Sequence, residues 1–276
     1  MNTDELIAAM AATNPGKYIP EPDTWAYYQD QIRKSSLTDD PRRFTKWPVI
    51  QQTMFADNPY YAKLEWDELA KSDNPDRWVE PIREYDFGDP TRLSFAPLSS
   101  GSMVHNAHYV MVLEKYLNIQ VQDLKVITDF GAGYGATCSV IRRLGFTGRY
   151  VAYDTIELNL LMEYYLSNID RNSNVRIFAD IKNVDKMGRF AVPPANTDLL
   201  IATYSLSEVS EDLRWAFFGA VRPKYTFIAH QESWDKQDTR SIFDNFCSRL
   251  ARSYNWQVVE NPLISGHRYI FGKRID

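Results

Sequence analysis

The chain has just two cysteines, Cys138 and Cys247, and neither sits in a CxxC or CxxH setting. Two thiols in 276 residues cannot make a disulfide framework, and both read as small core or surface thiols. No apolar run approaches the roughly 18 residues needed to cross a bilayer. The first ten residues place Asp4 and Glu5 where a secretion signal wants Lys or Arg, so a cytoplasmic protein without a membrane partner is expected. There is no basic run of five or more, and 31 basic against 36 acidic residues give a formal charge of −5. That balance lacks the footprint of a nucleic-acid binder and leaves a small-molecule or glycan partner as the expectation. With 44% hydrophobic and 24% charged residues, disorder, collagen and low-complexity classes are excluded.

Charge and pattern divide the chain. Residues 1–100 hold 17 acids and 11 bases, a net −6, which leaves 19 acids and 20 bases for the rest. The first hundred residues are rich in aromatics such as Trp25, Tyr27, Tyr28, Trp47 and Trp78, and are broken by Pro15, Pro41 and Pro75. They show no sustained strand alternation and read as an irregular helical cap, unable to fold alone. From about Gly101 to the end, helical stretches alternate with short apolar runs, the form of a parallel sheet covered by helices. The predicted order is a helix over Met103–Leu117, a strand over Val126–Asp129, helix Ala136–Leu144, strand Tyr150–Asp154, helix Ile156–Ile169 and strand Val175–Asp180. Strand Asp198–Thr203, helix Glu211–Val221, strand Tyr225–His230 and helix Arg240–Tyr254 follow. Trp256–Glu260 and Arg268–Gly272 read as a closing hairpin. The fold class is therefore α/β, a doubly wound sheet with ligands expected outside the carboxyl ends of its strands.

The sharpest local signal is Asp129-Phe-Gly131-Ala-Gly133-Tyr-Gly135, after an apolar strand and before a helix. Its glycines allow a tight turn and let backbone N–H groups approach a ligand. With Ala136 the stretch also meets the dinucleotide pattern GxGxx(G/A), so glycine spacing leaves a nicotinamide cofactor and another adenosine cofactor both open. Asp154 lies 19 residues after Gly135, at the end of the next strand, where a carboxylate can accept from both hydroxyls of a ribose.

On these residues the region from about 100 to 276 resembles the class I S-adenosylmethionine-dependent methyltransferases. That family has an acid ahead of the glycine turn, as Asp129 is here, and a sheet ending in a hairpin. The resemblance implies a Rossmann-like sheet under an N-terminal mostly helical cap, with S-adenosyl-L-methionine as cofactor. It implies that Gly131, Gly133 and Gly135 line the methionine and ribose, that Asp154 holds the ribose, that Thr155 after it also binds the cofactor, and that Asp180 and Ile181 sit beside the adenine. Thr203-Tyr204-Ser-Leu-Ser-Glu208 would floor the methyl group. Tyr153-Asp154, Tyr204 to Glu208 and His230-Gln-Glu-Ser-Trp234 resemble a narrower group, the sugar O-methyltransferases of bacterial glycan-biosynthesis clusters. That group has Leu-Pro where Thr155-Ile156 stand here.

Methyl transfer to a sugar hydroxyl needs alignment and a base for the hydroxyl proton. Of four histidines, His230, ending the fifth strand, is the first candidate base, with Glu208 second. His105 and His108, three apart on one helix, share a face and either point into an acceptor pocket or pack against the cap. His267, in the hairpin loop, is expected to be exposed. No metal cluster is apparent, and none is predicted. The cap aromatics read mainly as anchors, with sugar stacking as the alternative. Asp39-Asp40 beside Arg42-Arg43 reads as a solvated turn, with a phosphate grip as the alternative. The leading expectation is a sugar O-methyltransferase. A methyltransferase acting on another small molecule, a nicotinamide-dependent oxidoreductase and a catalytically silent methyltransferase-like scaffold are the rivals, and oligomeric state, a homo-oligomer included, stays open.

Overall fold

The computed structural model describes residues 1–13, 23–54, 58–169, 175–179, 197–235 and 237–275. Five parallel strands form the heart of one sheet: β3 (Val126–Phe130), β4 (Arg149–Asp154), β5 (Val175–Ala179), β6 (Leu199–Thr203) and β7 (Tyr225–Gln231). A hairpin of β10 (Tyr254–Glu260) and β11 (His267–Arg274) completes it, with β11 inserted antiparallel beside β7, so the order is β10-β11-β7-β6-β3-β4-β5. The winding reverses between β3 and β6, and the crevice at their carboxyl ends is where such a sheet takes a ligand.

Strand residues alternate between two apolar layers, as a sheet covered on both faces requires. Phe227, Ala229, Phe271 and Ile127 face one layer with α6 (Gly101–Leu117), α7 (Ala136–Arg143) and α8 (Ile156–Ile169). Ile228, Ile270, Leu200 and Phe130 face the other, under α9 (Glu211–Val221) and α10 (Thr239–Arg249). Ser100 starts α6 by accepting the N–H of Met103, and Asn118 ends it in the left-handed region.

The first hundred residues join the α6 layer instead of building a core of their own. Leu6 and Met10 of α1 (Thr3–Ala12), Ile32 of α2 (Asp23–Thr38), Phe44 between α2 and α3, and Ile50 of α3 (Pro48–Thr53) are buried in it. Phe44, on a 3-10 turn, meets Tyr134 of the glycine turn edge-on at 5.3 Å and Tyr165 of α8 at 5.7 Å. Two features differ from the pattern read in the sequence. The cap contains a 16-residue helix, α2, uninterrupted by proline or glycine, and a short hairpin of β1 (Arg92–Leu93) and β2 (Ala96–Ser100). The last helix stops at Arg249 instead of reaching Tyr254, because Tyr254 begins the hairpin and buries its ring against Phe218 and Trp256. The described residues also form α4 (Pro59–Ala70), α5 (Asp76–Val79), and a ribbon of β8 (Ser233–Trp234) with β9 (Gln237–Asp238).

Because Phe44 is fully buried between the glycine turn and α8, Phe44→Ala is expected to cost about 3–5 kcal/mol in denaturant unfolding. A cost below about 1 kcal/mol would show that the cap does not brace the turn.

Candidate functional site

The turn after β3 uses its glycines for different purposes. A Cβ on Gly131, at φ 76°, would fall 2.2 Å from Cβ of Ser205, whose hydroxyl donates to the Phe130 carbonyl. Gly131 is thus required by close packing against the segment after β6. Gly135, at φ 96°, is hemmed in less tightly, a Cβ there falling 2.9 Å from Cγ of Met162. At Gly133, with φ 59°, the nearest atom is Sδ of Met54 at 3.5 Å, an ordinary contact. Its N–H donates to Oδ2 of Asp154 at 2.7 Å, while the N–H of Thr155 donates to Oδ1 at 2.7 Å. The carboxylate therefore clasps both turns and keeps acceptor positions for two further donors. Among the described residues, Thr155 Oγ1 and Asn159 Oδ1, on residues following this acid, are buried without hydrogen-bond partners. So are both polar atoms of Gln29, on the cap helix α2. Buried polar atoms left unpaired suit a polar ligand that supplies the missing bonds.

Three acids surround this turn. Asp129 accepts the Tyr150 hydroxyl at 2.5 Å. Glu208 accepts the indole N–H of Trp25 at 2.9 Å, which lays α2 across the carboxyl end of β6. Burial pushes Asp129, Asp154 and Glu208 each up to about 7, and the charges of Asp129 and Glu208 add to the rise at Asp154.

Beside them lies a second polar cluster. Tyr204, just past Thr203 at the end of β6, takes φ 66°, unusual for a ring-bearing residue, and its N–H donates to the Ala229 carbonyl at 2.7 Å. Its hydroxyl accepts from Tyr109 at 3.0 Å and lies 2.8 Å from Nδ1 of His267. Tyr109 packs against His105, with ring centroids 4.2 Å apart, and His105 Nδ1 lies 2.6 Å from Glu65 Oε1. Nδ1 of His108 is 4.0 Å from the same carboxylate, and burial lowers His108 to about 4.

The sequence candidates thus separate. Asp129, Gly131, Gly133, Gly135, Asp154, Thr155, Thr203, Tyr204 and Glu208 meet at the crevice, and His105 stands on its α6 side. Asp180 and Ile181 lie outside the described residues. His230, the first candidate base, is 0% exposed and faces the α10 layer, its ring 4.6 Å from Phe243. Its Nδ1 lies 2.9 Å from the Gln231 carbonyl, and burial lowers it to about 4. Strand alternation sets this, since His230 follows Ile228 onto the far face. His267 is half-buried and bonded to Tyr204, not exposed. Trp47 and Trp78 are core residues, and Arg42 and Arg43 are already paired with Asp40 and Asp89. Glu65 and Tyr109 went unnoticed in the sequence, because a carboxylate in Leu64-Glu-Trp-Asp-Glu68 looks like one more solvated helix acid. Among the described residues, no group of three or more His, Cys, Asp and Glu is placed to hold a metal ion, and no helix is long and apolar enough to cross a membrane.

No known family profile matches the chain, and no curated protein matches it in sequence. Solved structures do resemble it. The methyltransferase domain of a bacterial protein, CtHen1-C, is 12% identical, with 61% of this chain and 97% of that one covered and a TM-score of 0.47. A SAM-dependent methyltransferase from Aquifex aeolicus is 16% identical over 60% of this chain and 92% of that one, at 0.45. The StiE O-MT, residues 942–1257, is 14% identical over 59% and 71%, also at 0.45.

A raised carboxyl binds its proton in the folded chain at a pH where the unfolded chain has released it, so its burden on stability grows from about pH 4 to about pH 7. The lowered His108 and His230 act in the opposite sense over part of this range, so the test is a difference between proteins. Asp129→Asn, which keeps an acceptor for Tyr150, is expected to gain stability relative to wild type as pH rises from about 5 to about 8. A difference independent of pH would show that Asp129 is not a buried acid of this kind.

Proposed function

We propose that the protein is an S-adenosylmethionine-dependent O-methyltransferase acting on a sugar hydroxyl, free, nucleotide-linked or within a glycan. The observation that carries this reading is the clasp of Asp154 by the N–H groups of Gly133 and Thr155, with two more acids at the same turn. Asp154 would accept the two ribose hydroxyls in its remaining positions, and Thr155, with Asp180 and Ile181, would adjoin the adenine. Thr203 and Tyr204 would floor the donor end. When bound, S-adenosylmethionine supplies a methyl carbon on a positively charged sulfur.

Charge separates this reading from a nicotinamide cofactor. Burial holds Asp129, Asp154 and Glu208 at about 7, and a cationic donor beside them would favour their ionised forms, whereas a pyrophosphate would add to the cost of ionising them. A hydroxyl acceptor is supported by the polar groups beside the crevice, since a weakly acidic hydroxyl needs a base where a carboxylate or thiol acceptor would not. Of the four base candidates, His105 and Glu208 stay in reach of the crevice, whereas His108 and His230 are shut in.

Calorimetry is expected to show S-adenosylhomocysteine binding, weakened about 10- to 100-fold by Asp154→Ala through loss of charge-assisted bonds. Binding should also weaken as pH falls through about 7, where Asp154 takes up a proton. No heat from the intact protein, with NAD protecting the fold instead, would overturn the reading.

A further inference from the structure

We infer that the Glu65–His105 pair, built between α4 and α6, is the acid–base device for the acceptor, with His105 taking the hydroxyl proton and Glu65 positioning it. This rests on the methyl-transfer reading above. Glu65 is 2% exposed, and its hydrogen bond is to Nδ1 of His105 at 2.6 Å. A helix that needed only an apolar contact at this position would not bury a carboxylate there, because a buried charge is costly without a partner. The neighbouring Asp67 and Glu68 of the same helix are not buried.

Glu65 settles which ring nitrogen carries the proton. With Nδ1–H donating to the carboxylate, the lone pair is on Nε2. Among the described residues Nε2 has no hydrogen-bond partner, and the His105 side chain stays 19% exposed. The helix that carries the ring is tied to the crevice at two points. Asn106, the next residue, accepts the Thr137 hydroxyl at 2.5 Å, which ties α6 to the first turn of α7 just beyond Gly135. Tyr109, packed on the His105 ring, hands its hydroxyl hydrogen bond to Tyr204 at the end of β6. Among the described residues, Glu65, His108, Tyr109 and His267 are the titratable groups nearest the ring, with Tyr204 and Tyr269 beyond them.

In the step, the acceptor oxygen forms a bond to the methyl carbon as the carbon–sulfur bond breaks. The pair leaves on sulfur as neutral thioether, and the hydroxyl proton passes to Nε2 of His105. Glu65 then stabilises the imidazolium. Glu208, bonded to Trp25 and close enough to raise Asp154, is left on the donor side.

The test uses the full chain labelled with 15N-histidine. Before any acceptor is added, the ring nitrogens of His105 are expected to report the Nδ1–H tautomer, which Glu65→Gln converts to a mixture and Glu65→Asp largely restores. Methyl transfer from labelled S-adenosylmethionine to a mixture of UDP-glucose, UDP-galactose and methyl glucosides is then followed against pH. His105→Ala should lower kcat by about 100-fold or more with S-adenosylhomocysteine affinity within about twofold of wild type. Glu65→Gln should lower kcat by about 10-fold or more and displace the acidic limb of the profile, with KM little changed. An Nε2–H tautomer in wild type, or an undiminished rate in His105→Ala, would overturn the pair. Failure of wild type to bind S-adenosylhomocysteine would instead overturn the methyl-transfer reading. If wild type binds it and transfers to none of these acceptors, the sugar reading fails and the tautomer decides the pair.

Discussion

One carboxylate carries the architecture of the crevice. Asp154 ends β4 and receives N–H groups from the turn after β3 and from the start of α8, so two loops that would otherwise move separately share an anchor. Removing such a group from water raises its affinity for a proton, and the two amide bonds only partly offset that cost. A fold that keeps a burdened acid in this place is storing acceptor capacity for something else. In the function proposed above, the two adjacent ribose hydroxyls of an adenosyl donor would take the acceptor positions that remain.

The cap contributes to the same end. Its apolar residues merge with the layer over α6 and α8, and Phe44 stacks edge-on against Tyr134 in the turn itself. Trp25 reaches Glu208, so α2 crosses the carboxyl end of β6. In this arrangement the cap forms a wall, which explains why so many aromatic residues occupy a segment that lacks regular patterning. On the other wall, α6 presents His105 and Tyr109 to Tyr204. The crevice is thus flanked by a side rich in acids, which the proposed function assigns to the donor, and a side of histidine, tyrosine and one hidden glutamate, which it assigns to the acceptor.

Much of the sheet was legible in the sequence because each strand is a short apolar run closed by a turn, and helices Ile156–Ile169 and Glu211–Val221 agree with their predicted bounds. Asp129, the glycine turn and Asp154 were legible because they are close in sequence and their spacing follows from one strand–turn–helix unit. The acceptor side was not. Glu65, His105, Tyr204 and His267 come from four separate elements, and no local pattern announces that they meet. His230 shows the complementary error, since its place at a strand end pointed to the crevice while the strand's alternation turned it under α10. The 16 residues of α2 escaped notice because their aromatic content masked an unbroken helical stretch.

The central claim is tested most directly by a crystal structure of the protein grown with S-adenosylhomocysteine. Both ribose hydroxyls should rest on the Asp154 carboxylate beside the N–H of Gly133, with the sulfur directed toward Tyr204. An adenosyl group bound elsewhere, or a turn that stays closed on Asp154 at saturating ligand, would contradict the account.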